Sequence, residues 1–133
     1  MSLLLDTHVL IWASETPEML GKLARALLLD ERQPIFVSAI STLEVARLVA
    51  LQQLRLTSSV SAWCERARGA LGASALPVDD QVAAEAYALP GAFHADPADR
   101  ILVASARVHG LRLVTADRRI LAYRPVRTQN ARK

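Results

Sequence analysis

A chain of 133 residues is long enough for one folded domain with one hydrophobic core. Apolar residues make up 52% of it, which favours a folded core over disorder, and no apolar run approaches the roughly 20 residues that a membrane span requires. The net charge of +3 and the isoelectric point near 9.6 are compatible with a nucleic-acid partner. Because the first residues lack the basic segment of a secretory signal, we expect a single, non-exported domain over residues 1–133.

The single cysteine, Cys64, cannot form an internal disulfide, which predicts a protein of the reducing cytoplasm. Almost all the positive charge comes from arginine, which suits bidentate contacts to phosphate, although a GC-rich genome would produce the same composition. A basic cluster near the C-terminus favours either nucleic-acid binding or a solvated tail, and we expect flexibility over about residues 128–133. The cluster comprises Arg118, Arg119, Arg124, Arg127, Arg132 and Lys133.

Short apolar runs alternate along the chain with apolar residues at helical spacing. This alternation predicts right-handed crossovers and a mostly parallel sheet covered on both faces, an α/β fold. Functional sites in such sheets form beyond the carboxyl ends of the strands. The predicted strands are Leu3–Leu5, Ile35–Ser38, residues 75–78, residues 111–115 and a short edge strand over residues 125–127.

Three acidic residues follow predicted strands and therefore belong at the carboxyl edge of the sheet. Asp6 ends the first strand, Glu44 opens the helix after the second, and Asp117 lies just past Thr115 in the fourth. Asp99 opens a helix that leads into the fourth strand, and we expect such a start at the opposite edge. It joins the other acids only if its helix begins near the carboxyl side, for instance by following the helical segment at residues 80–89.

Each of these acids also has a purely structural interpretation. Glu44 completes a capping box that begins at Ser41, Asp99 does the same after Asp96, and Asp117 caps a short helix. Asp6 is harder to explain in this way, because a carboxylate at the end of a central apolar strand is costly unless it is paired or bound to a cation. An N-cap for the following helix remains an alternative for it.

Four carboxylates at one edge would repel each other, and a hard divalent cation relieves that repulsion. Mg²⁺ or Mn²⁺ fits, because the chain has no cysteine and histidine cluster of the zinc type. Such a cation polarises a phosphodiester and lowers the pKa of a bound water. The acids thus favour hydrolysis of a phosphate ester.

Four segments of the chain, in order, resemble the motifs of PIN-domain ribonucleases of the VapC toxin type. They are LLDTHVLIW at residues 4–12, VSAISTLEVA at 37–46, FHADPADRIL at 93–102 and LVTAD at 113–117. The third is the most distinctive, because it contains a His-x-Asp-Pro-x-Asp-Arg block. Each segment is short, and the combination is what is specific.

The resemblance implies a three-layer α/β/α sandwich and a Mg²⁺- or Mn²⁺-dependent endoribonuclease. It further implies the toxin of a type II pair, which hydrolyses RNA by metal-activated water, has a cognate VapB-type antitoxin and forms a homodimer. Thr115 would support the metal ligands through its hydroxyl, and Arg100 would contact RNA or the antitoxin. The implied catalytic and metal-binding residues are Asp6, Glu44, Asp99 and Asp117.

Other residues of these motifs receive structural interpretations. We expect Asp96 to be a helix cap, His94 to orient its loop by hydrogen bonding, and His8 to pack behind Asp6. Arg100 has an ion pair with Asp96 as its alternative. The leucine-rich segment over residues 19–29 is expected to be mostly core, with a groove for an antitoxin helix as the less favoured role.

Two other functions remain as alternatives. The first is a phosphatase or phosphotransfer domain on a similar sheet, but such a phosphatase needs a second Asp two residues after the first, where this chain has His8. The second is a PIN-like module that binds RNA or a partner without cleaving. Four intact acids argue against it, because gathered negative charge would repel RNA.

Overall fold

The computed structural model describes residues 1–133, in which five strands form one parallel sheet of order β3-β2-β1-β4-β5. The strands are β1 (Leu3–Leu5), β2 (Ile35–Ser38), β3 (Ser74–Leu76), β4 (Arg112–Thr115) and β5 (Thr128–Asn130). The helices are α1 (Thr7–Glu15), α2 (Lys22–Leu29), α3 (Ala39–Ala50), α4 (Val60–Leu71), α5 (Asp80–Glu85), α6 (Pro97–His109) and α7 (Arg118–Leu121), with a 3₁₀ turn at Pro17–Met19.

The central strand β1 separates two hydrophobic cores. Leu3 and Leu5 pack on one face of the sheet and Leu4 packs on the other, as the alternation of side chains along a strand requires. Helices α1, α2 and α4 cover the first face, whereas α6 and α7 cover the second, with α5 packed against α6. Helix α3 contributes Val45 to the first core and Ile40 to the second. The predicted α/β/α sandwich with a parallel sheet is confirmed.

The two outer strands are shifted from their predicted positions. Strand β3 ends at Leu76, before Pro77, which has no N–H to donate. The last strand lies at Thr128–Asn130 rather than at residues 125–127, where Val126 packs into the second core instead. Its sequence, Thr-Gln-Asn, carries no apolar pattern, so its place is set by backbone pairing with β4.

The expectation of a flexible tail over residues 128–133 is wrong. Ala131 is fully buried, and the start of α2 holds the last residues through backbone hydrogen bonds. The N–H of Gly21 donates to the Ala131 carbonyl at 2.9 Å, and the N–H of Leu23 donates to the Lys133 carbonyl at 2.7 Å. A side chain at Gly21 would collide with the backbone of these last residues, so this close approach requires glycine.

Two further expectations concern the helices. Leu20 and Leu28 are buried as predicted, but Leu23 and Leu29 are 61% and 81% exposed, so the segment over residues 19–29 is only partly core. Cys64 is buried in the first core and forms no disulfide. None of the helices combines the length and the apolar character needed to cross a bilayer.

Candidate active site and metal centre

Asp6 lies where β1 ends and α1 begins, and only 6% of its surface is exposed. Its Oδ1 accepts a hydrogen bond from the N–H of Thr7, and its Oδ2 accepts one from Oγ1 of Thr115, both at 2.7 Å. Asp6 is thus the N-cap residue of α1, as the structural interpretation allowed, and also a buried carboxylate held by the neighbouring strand. The two roles coexist because the loop after β1 places the cap at the carboxyl edge of the sheet.

Thr115 connects Asp6 to the acid that follows β4. Its hydroxyl donates to Asp6 and accepts a hydrogen bond from the N–H of Asp117 at 3.0 Å. Asp117 caps α7, because its Oδ1 accepts from the N–H groups of Arg119 at 2.8 Å and Ile120 at 3.4 Å. A single buried hydroxyl therefore sets the relative positions of the two aspartates.

Glu44 reaches the same edge from the second turn of α3. The predicted capping box at Ser41 is wrong, because α3 begins at Ala39 and Ser38 is its cap. Glu44 Oε1 instead accepts a hydrogen bond from Oγ1 of Thr7 at 2.6 Å, and that hydroxyl also lies 2.9 Å from Oγ of Ser41. Thr7 and Ser41 were not predicted as site residues. Their signals were the position next to Asp6 and the i, i+3 spacing of Ser41 and Glu44, which puts both on one helix face.

Asp99 lies in the first turn of α6, at the carboxyl edge of the sheet. Asp96 caps this helix as expected, accepting a hydrogen bond from the N–H of Asp99 at 3.3 Å. The expectation that such a helix starts at the opposite edge is wrong. A helix in a right-handed crossover leaves the carboxyl edge and runs back antiparallel to the strands, so its first turn belongs beside Asp6. His94 holds the Asp99 carboxylate, with its Nε2 2.7 Å from Oδ2.

Burial and mutual repulsion disfavour the charged forms of three of these acids. Loss of hydration on burial is the main cause that raises the pKa of Asp6, of Glu44 and of Asp99, the last to about 6. Repulsion from Asp6 adds to the pKa rise of both Glu44 and Asp99. The acids are therefore close enough to destabilise one another when all are ionised.

Asp117 behaves differently because a guanidinium contacts it. Its partial burial works to raise its pKa, but the hydrogen bonds from Arg119 outweigh this effect and the pKa is lowered. Nη2 of Arg119 lies 3.3 Å from Oδ2 of Asp117 and 3.7 Å from Oδ2 of Asp99. One positive side chain thus lies between two of the acids.

The acids line one open cleft of about 370 Å³. His8 also lines it and is exposed, so the expectation that it packs behind Asp6 is wrong. Arg132, from the basic C-terminal cluster, lies with its guanidinium carbon 5.0 Å from the centre of the Trp12 ring. The lining residues are Asp6, His8, Trp12, Glu44, Asp96, Asp99, Ala116, Asp117, Arg119 and Arg132.

The donor set of this cleft fits a hard divalent cation. Carboxylate oxygens dominate it, and neutralising their charge would relieve the repulsion that raises three of the pKa values. One ligand atom from each of His94, Asp96 and Asp99 lies within 4.8 Å of the others, which brings Asp96 into ligand range in addition to its capping role. No cysteine lies in the cleft, which argues against a structural zinc site.

Comparison with known proteins agrees with this geometry. The family model for the PIN domain matches residues 3–124, which include all four acids. The chain belongs to the PIN-domain family. It is 37% identical over 123 residues to Ribonuclease VapC22 of Mycobacterium tuberculosis, and the match covers 92% of each chain. The PIN resemblance drawn from the four sequence motifs is confirmed.

Solved structures share the fold of this PIN domain. VapBC2 from Rickettsia felis, bound to a DNA fragment from its promoter, matches with a TM-score of 0.72 and 14% identity over 98% of both chains. FitAcB from Neisseria gonorrhoeae matches with a TM-score of 0.65 and 26% identity over 97% of both chains. The fold that surrounds Asp6 is therefore shared with both of these solved structures.

Arg100 of the PIN domain has a structural role within the chain, whereas its expected contact to RNA or an antitoxin stays a prediction. Its guanidinium donates to the backbone carbonyls of Ala86 and His94, both at 3.0 Å, and of Phe93 at 2.7 Å. It forms no ion pair with Asp96. The side chain therefore fixes the loop before α6, and through that loop it positions His94 against Asp99.

The raised pKa of Asp99 predicts that its charge destabilises the metal-free PIN domain. Below the pKa of the unfolded chain, near 3.8, the carboxyl is neutral in both states; as the pH rises through about 6, the folded state loses stability relative to the unfolded chain. We expect Asp99→Asn to raise the free energy of unfolding in EDTA at pH 7.5 by about 1 kcal/mol or more. The gain should disappear near pH 4.

Unfolding by denaturant of wild type and Asp99→Asn, at pH 7.5 and near pH 4, measures this effect. The matched control is Glu65→Gln, an exposed acid in the middle of α4 that lies outside the cleft. We expect it to leave the stability within about 0.5 kcal/mol. A destabilised Asp99→Asn protein at pH 7.5 would contradict the expected cost of burying this charge among other acids.

Proposed function

We propose that this PIN domain is a divalent-cation-dependent endoribonuclease and the toxin of a VapBC-type toxin–antitoxin pair, with Mg²⁺ or Mn²⁺ as its ion. The observation that carries the proposal is the convergence of four carboxylates, from four separate segments, on one open cleft. Asp6, Asp99, Asp117 and Glu44 would hold the cation. The 37% identical relative is a ribonuclease, which supports RNA as the substrate.

The side chains of the cleft have distinct tasks in this proposal. When bound, a divalent cation polarises the phosphodiester and lowers the pKa of a water molecule. The Thr115 hydroxyl and the Thr7 N–H each hold one oxygen of Asp6, which fixes the orientation of this carboxylate toward a cation. Thr7 fixes Oε1 of Glu44, and Oε2 has no hydrogen-bond partner within the chain, which leaves it free to accept a proton from water.

The positive residues around the acids would contact the phosphate backbone of RNA. Arg119 and Arg132 line the same cleft, and Trp12 offers an aromatic face beside them. This pairing of arginine with an aromatic ring suits single-stranded RNA, whose bases are free to stack. These positive side chains would offset the repulsion between the carboxylates and an RNA phosphate.

The partner in this proposal is a VapB-type antitoxin. Structures with this fold include a toxin–antitoxin complex from Klebsiella pneumoniae and VapBC from Salmonella typhimurium bound to DNA. The exposed Leu23 and Leu29 of α2 offer an apolar surface to such a partner. Homodimerisation and a cytoplasmic location belong to the same proposal and follow from the VapC resemblance.

The test is cleavage of a labelled single-stranded RNA by the purified protein, with excess EDTA and after adding back each ion. We expect cleavage only when Mg²⁺ or Mn²⁺ is present. The cuts should fall within the RNA chain and give fragments of more than one length. Cleavage that persists in EDTA would contradict the proposal. A parallel assay with a small phosphate ester tests the phosphatase alternative, and turnover of the ester without RNA cleavage would favour it.

A further inference from the structure

One positive side chain, that of Arg119, forms ion pairs with the acids of the cleft. Arg119 contacts Asp117 and Asp99 through the same nitrogen, Nη2, at 3.3 and 3.7 Å. These two residues come from different elements, so the guanidinium bridges α7 and α6 as an ion between them would. The bridge occupies carboxylate oxygens that the proposed cation needs.

The bridge is not required to hold α7 in place. The cap of this helix is formed by backbone N–H groups, of Arg119 and Ile120, on Oδ1 of Asp117. The Arg119 side chain mainly contacts Oδ2 and is 61% exposed, so water can replace its contacts. Its neighbour Arg118, also exposed, contacts none of the acids. Arg119 therefore forms ion pairs that its neighbour does not form, but each of them contributes little to the free energy of folding.

We propose that Arg119 is a displaceable internal counter-ion. It neutralises part of the charge of Asp99 and Asp117 in the metal-free protein and competes with the divalent cation for these two carboxylates. The inference rests on the proposed metal site. A dication at bonding distance carries twice the charge of a guanidinium at 3.3–3.7 Å, so it displaces the arginine. The arginine thereby weakens metal binding while protecting the fold when no metal is present.

The competition predicts that removing the guanidinium tightens metal binding. We would measure the Kd of Mn²⁺ alone, without RNA, by isothermal titration calorimetry and by the loss of the free Mn²⁺ paramagnetic signal. We expect Arg119→Gln to lower this Kd by about three- to tenfold, the range set by two exposed ion pairs. The control Arg118→Gln removes the same charge one residue away and should change the Kd of Mn²⁺ by less than about twofold.

Thermal melts with and without Mn²⁺ separate competition from a structural role. In EDTA, Arg119→Gln should melt below wild type, because the acids have lost their counter-ion; in saturating Mn²⁺ the two should coincide. The rise in Tm on adding Mn²⁺ is then larger in the variant, as tighter binding requires. A residue with only a structural role would lower both melting temperatures equally.

The outcomes distinguish this inference from the proposed function. If wild type binds Mn²⁺ and Arg119→Gln binds it equally or more weakly, the counter-ion role is overturned while the metal-dependent nuclease stands. If wild type binds no Mn²⁺ at all, both fall. Tighter binding in Arg119→Gln, with an unchanged Arg118→Gln control, supports the role assigned to Arg119.

Discussion

Asp6→Asn should lower RNA cleavage by on the order of a hundredfold or more while leaving the fold intact. The substitution removes the negative charge that would bind the cation. It keeps an acceptor for the N–H of Thr7, and the amide nitrogen in place of Oδ2 can donate to Oγ1 of Thr115. Asparagine is also as good an N-cap as aspartate, so α1 should still begin at Thr7. Initial rates on labelled RNA at saturating Mg²⁺ measure the loss, and circular dichroism measures the fold.

Asp79→Asn is the matched control for this change. Asp79 is also an N-cap aspartate, because it accepts a hydrogen bond from the N–H of Val82 at 3.0 Å, but it lies outside the cleft. We expect full activity from it. Near wild-type cleavage by Asp6→Asn would remove Asp6 from the catalytic centre, and equal losses in both variants would point to helix capping rather than catalysis.

Thr115→Val should lower kcat by about 10- to 100-fold with little change in KM, the usual range for residues that orient a metal ligand. Valine has nearly the shape of threonine, so the packing at the end of β4 is kept. It removes the hydrogen bond to Asp6 and leaves the N–H of Asp117 without its acceptor. Each aspartate then loses one of the contacts that position it, and the buried Asp6 carboxylate loses a stabilising partner.

The kcat of a second variant at Thr115 distinguishes a positioning role of its hydroxyl from a packing role. Thr115→Ser restores the hydroxyl and should recover most of kcat, which a pure packing defect would not allow. Thr57→Val, at an exposed site away from the cleft, is the control for the chemical change itself. Wild-type kcat in Thr115→Val, or failure of Thr115→Ser to recover it, would show that the hydroxyl does not position the acids.

The sequence was sufficient to predict the acids that follow strands. An apolar run such as Leu3–Leu5 must be buried, and the residue after it must emerge at one edge of a parallel sheet, so Asp6 and Asp117 were constrained to meet. Asp99 was placed less well, because we assigned the start of its helix to the wrong edge. The distinctive block around Asp96 identified it through resemblance, and crossover geometry now explains its position.

Contacts between segments could not be predicted, because they have no periodic signal in the sequence. Thr7 reaches Glu44 across 37 positions of sequence, and nothing local distinguishes its hydroxyl from that of any other threonine. Arg100 lies in a motif and was assigned to RNA or an antitoxin, and its hydrogen bonds to the carbonyls of Ala86, Phe93 and His94 were not predicted. Strand β5 was misplaced for the same reason, because the exposed backbone of β4 selects it rather than its own polar residues.

The hydrogen bond that joins Thr115 to Asp6 spans 109 positions of the chain. During synthesis on the ribosome, Asp6 emerges seconds before Thr115 and Asp117, since translation adds about 5–20 residues per second. Throughout that time the growing polypeptide has only part of the cleft, so the proposed nuclease would still lack Asp117. A chain terminated before Thr115 would lack this hydrogen bond as well as Asp117, so under the proposed function only chains synthesised beyond β4 would cleave RNA.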